Sequence, residues 1–391
     1  MRPLPAHADR PGDADQRQGA DPHARPAPTA GRQDLVRRPV DPAGRRRDPG
    51  RRRVPRDVSR RPVGPVRVRW RRPTHLRGPQ RVAVAPGQVV AHERGTRLVG
   101  LDAATGAPRW DVPLGTWPRS VVATDRRCWA LPQDRPELAC LDLGAGSALW
   151  RAAVPPFSGH LVVAGDTMLV GGWRGYTALR ALDGRTGDLR WVRPGPVPVV
   201  RPVVAGGRVL LARPGTPELS VLDLDDGGEV FRRDLPEPFA DPDDRPAFVT
   251  LDADHVLVRC GPRSLWRVHV GSGDAVEFFR GDADLSPDAP VVSGDLACVR
   301  DRGAGLTAVD AGTGRPRWRL DADGDPPVGG VVRTENGHLV ARRSGILVRV
   351  DDDGEIHGRA TAGRRLDGVR ALTPGGVLLT GPGELSAVTP P

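Results

Sequence analysis

The chain has 391 residues, with 58 basic and 48 acidic side chains and a net charge of +10. Every basic residue is arginine, and the excess is local: residues 1–80 hold 21 Arg against 8 acids, the remaining 311 residues 37 Arg against 40. A nucleic-acid reading is therefore confined to the leading segment, and no specific nucleic-acid partner is expected for the near-neutral remainder.

The leading segment comes first in chain order. "RRPVDPAGRRRDPGRRRVPRDVSRRP", Arg37 to Pro62, lacks apolar periodicity and is rich in proline. It cannot bury enough apolar surface to offset the entropy of ordering. Residues 1–63 are expected to be a disordered Arg/Pro-rich extension, and residues 64–391 the folded region. Three readings of the extension stay open: an arm for phosphates or anionic membranes, an extension without function, and a misplaced start site or reading frame. No apolar run approaches the ~18–20 residues of a membrane span, and no charged-then-apolar leader opens the chain. Neither a transmembrane segment nor an export signal is expected.

From residue 64 onward the chain repeats. "LVGLDAATGAPRW" ends at Trp110, "LACLDLGAGSALW" at Trp150, "LRALDGRTGDLRW" at Trp191 and "LTAVDAGTGRPRW" at Trp318. The marker Asp recurs at Asp102, Asp142, Asp183, Asp223, Asp310 and Asp351, with His269 in the fifth slot and Thr389 in the last. The steps are 40, 41, 40, 46, 41, 41 and 38 residues. Short β-branched runs between Gly/Pro turns exclude helical repeats, and a period near 40 residues predicts a propeller of four-stranded blades. In the fourth unit "RPVVAGG", "RVLLAR", "ELSVLD" and "EVFRRDL" supply the strands from the axis outwards. The innermost strand is expected to be buried on both faces, given its continuous Val/Ala character.

The repeated turn has a physical reading. The Asp carboxylate accepts hydrogen bonds from the turn amides. Gly106, Gly146, Gly187, Gly273 and Gly314 permit positive φ. The Trp on the outer strand bridges to the next blade, its indole N–H meeting a carbonyl there. A buried Trp is worth about 3–5 kcal/mol. Asp102, Asp142, Asp183 and Asp310, with Gly106, Gly146, Gly187 and Gly314 and the tryptophans Trp110, Trp150, Trp191 and Trp318, are thus read as inter-blade fasteners. They are architecture, not catalytic residues.

The pattern A-x-D-x-x-T-G-x-x-x-W resembles the tryptophan-docking motif of pyrroloquinoline-quinone-like β-propellers. That superfamily holds quinoprotein alcohol dehydrogenases and non-enzymatic members such as the propeller lipoprotein of the outer-membrane β-barrel assembly machinery. The resemblance covers residues ~64–391 and implies an extracytoplasmic setting. Phe231 replaces the fourth Trp, Glu277 with adjacent Phe278 the fifth, and "VRVDDDGEIHG" of the seventh unit is shortened and has no aromatic. The last unit supplies three strands, and "PVRVRWRRP", with Trp70 twelve residues before Val82 as Trp191 is before Val203, offers the fourth. Pairing of strand 66–71 with the C-terminus would leave no open edge. The expectation is an all-β, eight-bladed propeller, with seven blades open if the fifth or seventh unit is not a true blade.

Chemistry is scarce in this frame. The resemblance implies, for an enzyme, Ca²⁺ held by Glu and Asn beside a quinone, a carboxylate base and an adjacent cysteine pair. The chain has one Asn, Asn336, and its cysteines, Cys128, Cys140, Cys260 and Cys298, are not adjacent. Cys128 and Cys140 fall on neighbouring strands and could face each other. The loop "EPFADPDDRPAF" puts Asp241, Asp243 and Asp244 together, but without EF-hand spacing it reads as solvated. Arg119, His160, Arg201 and Arg370 precede or open inner strands, where a cationic funnel would take an acidic peptide or anion. No cofactor is expected. The reading is a monomeric, non-catalytic scaffold or ligand sensor binding a protein or peptide. The alternatives are a divergent pyrroloquinoline-quinone-dependent oxidoreductase and the sensing half of a signalling pair.

Overall fold

The computed structural model describes residues 64–391 except 75–80, 94–95, 134, 173–177, 196–200, 214, 240–247, 304 and 374. The acidic loop around Asp241 lies outside the described residues. What is described forms strands and turns, gathered into eight antiparallel four-stranded sheets. Blades 1 to 7 span residues 82–113, 118–153, 158–193, 203–234, 248–280, 291–320 and 327–361. Blade 8 joins three strands within 368–389 to Arg67–Pro73. That strand pairs antiparallel with Glu384–Thr389, Trp70 opposite Ala387. Gly64–Pro65 adds a short parallel strand to the outside of blade 7. The degenerate fifth and seventh units are complete blades, so the ring has eight.

First strands of successive blades touch one another, including those of blades 8 and 1, and so surround the axis. Burial corrects one expectation. The first strands are only partly buried, as in Pro118–Ala123, whereas second strands such as Gln88–Glu93, Thr167–Gly172 and Gly376–Gly381 are buried throughout. The innermost strand borders a channel on one edge, while the second is enclosed by its own sheet and both adjacent blades. Val/Ala continuity therefore marks the channel wall.

The core is divided into eight apolar clusters, one at each seam between blades. Trp70, Val89, Leu101 and Leu378 pack between blades 8 and 1, and Val90, Trp110, Cys128 and Leu141 between blades 1 and 2. Stability is thereby spread over nearest-neighbour contacts, as in repeat arrays. Cys128 and Cys140 do not face each other. Cys128 pairs with Leu141 and Cys140 with Trp129, so a one-residue offset sends the thiols into different seams. All four cysteines are free and buried, and burial pushes each thiol up to about 12.

Candidate functional site

The fasteners come first because they hold the blades that carry the mouth. Asp102 Oδ1 accepts the amides of Ala104 and Thr105 at 3.0 and 2.9 Å and the Thr105 hydroxyl at 2.9 Å. Its Oδ2 accepts Arg109 Nη2 at 2.5 Å. Arg109 and the turn donors hold the carboxyl at about 2. Arg317 and Thr313 do the same for Asp310, also at about 2, and Arg190 caps Asp183. The arginine just before the tryptophan is thus part of the motif. Sequence reasoning passed over it, although "PRW", "LRW" and "PRW" display it. In the fifth unit the His269 ring accepts the Ser272 amide at 3.1 Å, so the imidazole stands in for the carboxylate and the turn persists.

Each ring lies on the turn glycine of the following blade. A Cβ on Gly106 would sit 2.6 Å from the Trp70 ring, and one on Gly146 2.7 Å from Trp110. Trp150 covers Gly187, Trp191 covers Gly227, Phe231 covers Gly273 and Trp318 covers Gly354. These glycines are required for ring contact as well as for positive φ. Indole hydrogen bonding is less uniform than expected. Trp70 donates to Ala103 O at 3.0 Å, Trp110 to Leu143 O at 2.6 Å and Trp191 to Leu224 O at 2.9 Å. The buried Nε1 atoms of Trp150 and Trp318 have no partner among the described residues. For Trp318 the facing turn is a residue shorter: the Gly354 amide bonds Asp351 O across three positions, where Gly106 reaches Asp102 O across four. At Trp150 the acceptor position is Gly184, against which Trp129 also stands. At seam 5/6 the Phe278 backbone oxygen comes nearest Gly314, with the edge of the Phe278 ring behind it.

The mouth residues are distributed as follows. Arg119 occupies the bulge between Pro118 and Ser120 that opens the first strand of blade 2. His160 follows the equivalent bulge of blade 3 and is buried at 6% exposure. Arg201, leading into blade 4, donates to Leu161 O at 2.8 Å and so reaches the residue beside His160. Arg370 lies on the first strand of blade 8. Burial and the charge of Arg370 lower the Arg201 pKa. Blades 4 and 8 are opposite one another in an eight-membered ring. Arg370 is exposed on its strand, and desolvation lowers its pKa. Two aromatic residues join this end of the strands. Trp117 and Phe157, 51% and 52% exposed, each immediately precede the residue that begins the bulge in their blades. Phe157 has φ 61°, a conformation bulky residues rarely adopt. Their equivalence depends on strand register, which the sequence alone does not display.

The arrangement defines a pyrroloquinoline-quinone-like β-propeller, with fastened blades around a central channel. The family model described as outer membrane protein assembly factor BamB matches residues 66–127, 134–239 and 261–390, and the chain belongs to that family. BamB from Moraxella catarrhalis is 15% identical with TM-score 0.64, over 83% of this chain and 99% of that one. Sqt1 from Saccharomyces cerevisiae is 9% identical with TM-score 0.63, over 84% and 100%. Quinohemoprotein alcohol dehydrogenase from Comamonas testosteroni is 12% identical with TM-score 0.59, over 82% and 76%. At such identities the likeness is one of fold. No curated protein sequence matches the chain.

Proposed function

We propose that the protein is a non-catalytic scaffold that takes an acidic segment of a protein partner at one mouth of its channel. The observation that supports it is the placement of Arg201 just before, and Arg370 on, the first strands of blades 4 and 8, the strands that surround the axis, where desolvation lowers the pKa of each and the charge of Arg370 adds to the lowering at Arg201. A carboxylate entering there gains charge-assisted hydrogen bonds and relieves the repulsion. Trp117 and Phe157 at the same end supply rigid apolar area of the kind that anchors protein contacts. The family description, an assembly factor, supports the same reading.

The fold family also holds enzymes that use a calcium-bound quinone, and the residues here do not fit that group. The chain's one asparagine, Asn336, sits on a hairpin turn of blade 7. The four cysteines are buried singly in separate strands. The channel arginines oppose a divalent cation. A thermal-shift titration with pyrroloquinoline quinone, with and without Ca²⁺, tests this. No shift is expected. A Ca²⁺-dependent rise in Tm would replace the scaffold with an oxidoreductase.

A further inference from the structure

The seam between blades 6 and 7 differs from the others in kind. His338 is 0% exposed and pairs with Val350, the residue before the motif Asp351. In the other blades the same slot holds Val89, Cys128, Met168, Val209, Val256, Ala297 and Val377, all apolar and fully buried. Asp352, just after the motif position, replaces the Ala103, Leu143, Gly184, Leu224, Val270 and Ala311 of blades 1 to 6. Ser293 takes the place of Ala85, Ala164 and Ala205 at the end of the first strand. Two positions that are apolar or small in the other blades have become polar together beside the Ser293 hydroxyl, and the three side chains meet. The fold does not require this, because well-packed apolar groups serve the other seams and such replacements are often neutral or stabilising.

His338 Nδ1 is 3.1 Å from Ser293 Oγ, which fixes the ring and aims Nε2 at Asp352 Oδ1, 2.8 Å away. Arg333 Nη1 is also 2.8 Å from Nε2 and pairs with Asp352. A neutral imidazole cannot serve both neighbours: with a proton on Nε2 it opposes Arg333, and without one it opposes the carboxylate. Asp295, which also receives Arg317 at 3.3 Å, completes a trio whose ligand atoms all lie within 4.8 Å of one another.

We propose that His338, Asp352 and Asp295 form a binding site for a divalent transition-metal ion of the zinc class, with Arg333 as the counter-charge that the ion displaces. One imidazole nitrogen and two carboxylates suit such an ion, whereas Ca²⁺ and Mg²⁺ favour oxygen alone. The Nδ1–Ser293 contact is the outer-shell bond that ligating histidines make. Arg333 is 44% exposed, so its side chain has room to swing into solvent. A bound ion would join the turn of blade 6 to blade 7, at a seam where the Trp318 indole has no partner among the described residues. The neighbouring trio Asp351, Glu355 and His357 has a structural explanation: His357 bonds Asp351 Oδ2 at 2.6 Å, taking the role Arg317 has on Asp310.

The test is titration of the untagged full chain with Zn²⁺ by calorimetry, and with Co²⁺ by visible absorption and quenching of Trp318, whose ring lies 6.4 Å from His338. One saturable ion is expected, with tetrahedral Co²⁺ bands. Binding should be lost in His338→Val and Asp352→Ala, which carry residues other blades use at these positions and so should fold. Ser293→Ala should weaken it by about tenfold, and Arg333→Gln should tighten it. Equal binding by wild type and His338→Val would overturn the proposal. So would loss only in His357→Gln, or no binding by either wild type or Arg333→Gln.

Discussion

The indole nitrogen of Trp70 donates to the carbonyl of Ala103 at 3.0 Å and joins the outer strand of blade 8 to the turn of blade 1. Trp70 precedes every complete blade in the sequence, yet it fastens the seam where the ring closes. The C-terminal strand and blade 1 are held together through it, by backbone pairing on one side and ring stacking on the other. Closure therefore uses the same device as propagation from blade to blade.

Substitution by phenylalanine separates the two kinds of fastener. Trp70→Phe, Trp110→Phe and Trp191→Phe each forfeit an indole hydrogen bond and strand a carbonyl in the seam, at about 1–3 kcal/mol. Trp150→Phe and Trp318→Phe remove a buried donor that has no partner among the described residues, so they should cost less or stabilise. Urea unfolding midpoints of the five variants check the ranking.

Gly106→Ala tests ring contact against backbone strain. Gly106 and Gly87 have φ of 72° and 71°, but a Cβ would meet the Trp70 ring at 2.6 Å in the first and nothing within 4 Å in the second. Gly87→Ala should therefore cost about 1 kcal/mol of strain alone, and Gly106→Ala more. In a Trp70→Ala background the two penalties should converge.

Acid sensitivity follows from the turn carboxylates. Asp102 and Asp310 have folded-state pKa values of about 2, below the ~3.9 of an unfolded Asp. A depressed carboxyl contributes stability above the unfolded value and loses it as pH falls through the folded one. Stability should decline between about pH 4 and pH 2. Asp102→Asn and Asp310→Asn should be less stable than wild type at pH 7 and converge with it near pH 2. Exposure of Arg109 and Arg317 limits the size of the effect. Urea midpoints across this range measure it.

The thiols should be silent. All four are free and buried, with pKa values near 12, and the thiolate is the reactive form. Ellman's reagent should titrate none in the native protein and four after denaturation, and reductant should leave Tm unchanged. Labelling of Cys128 and Cys140 only after reduction would show them bridged.

The repeat was legible because its turn needs particular residues at fixed spacing, so Asp102, Gly106 and Trp110 announce their blade. The sequence also placed Trp70, since its distance to Val82 matches that from Trp191 to Val203. Contacts set by strand register were not legible. Cys128 and Cys140 occupy adjacent strands in any reading, and only the pairing shows that they point apart. The equivalence of Trp117 and Phe157 depends on bulges, and the His338–Asp352 contact on the alignment of two strands. The relation of Arg201 to Arg370 needs the ring itself, because blades 4 and 8 are distant in sequence and become opposite only on closure.

The most direct test of the scaffold reading is fluorescence anisotropy of a labelled peptide of alternating Glu and Phe, titrated with the full chain and with Arg201→Gln/Arg370→Gln. Loss of two charge-assisted contacts at about 1.5–3 kcal/mol each should weaken binding by about a hundredfold or more, with the Tm of the variant close to wild type. A peptide of alternating Lys and Phe should not bind. Equal affinity of the acidic peptide for wild type and double variant would contradict the account, because the channel arginines would then play no part in recognition.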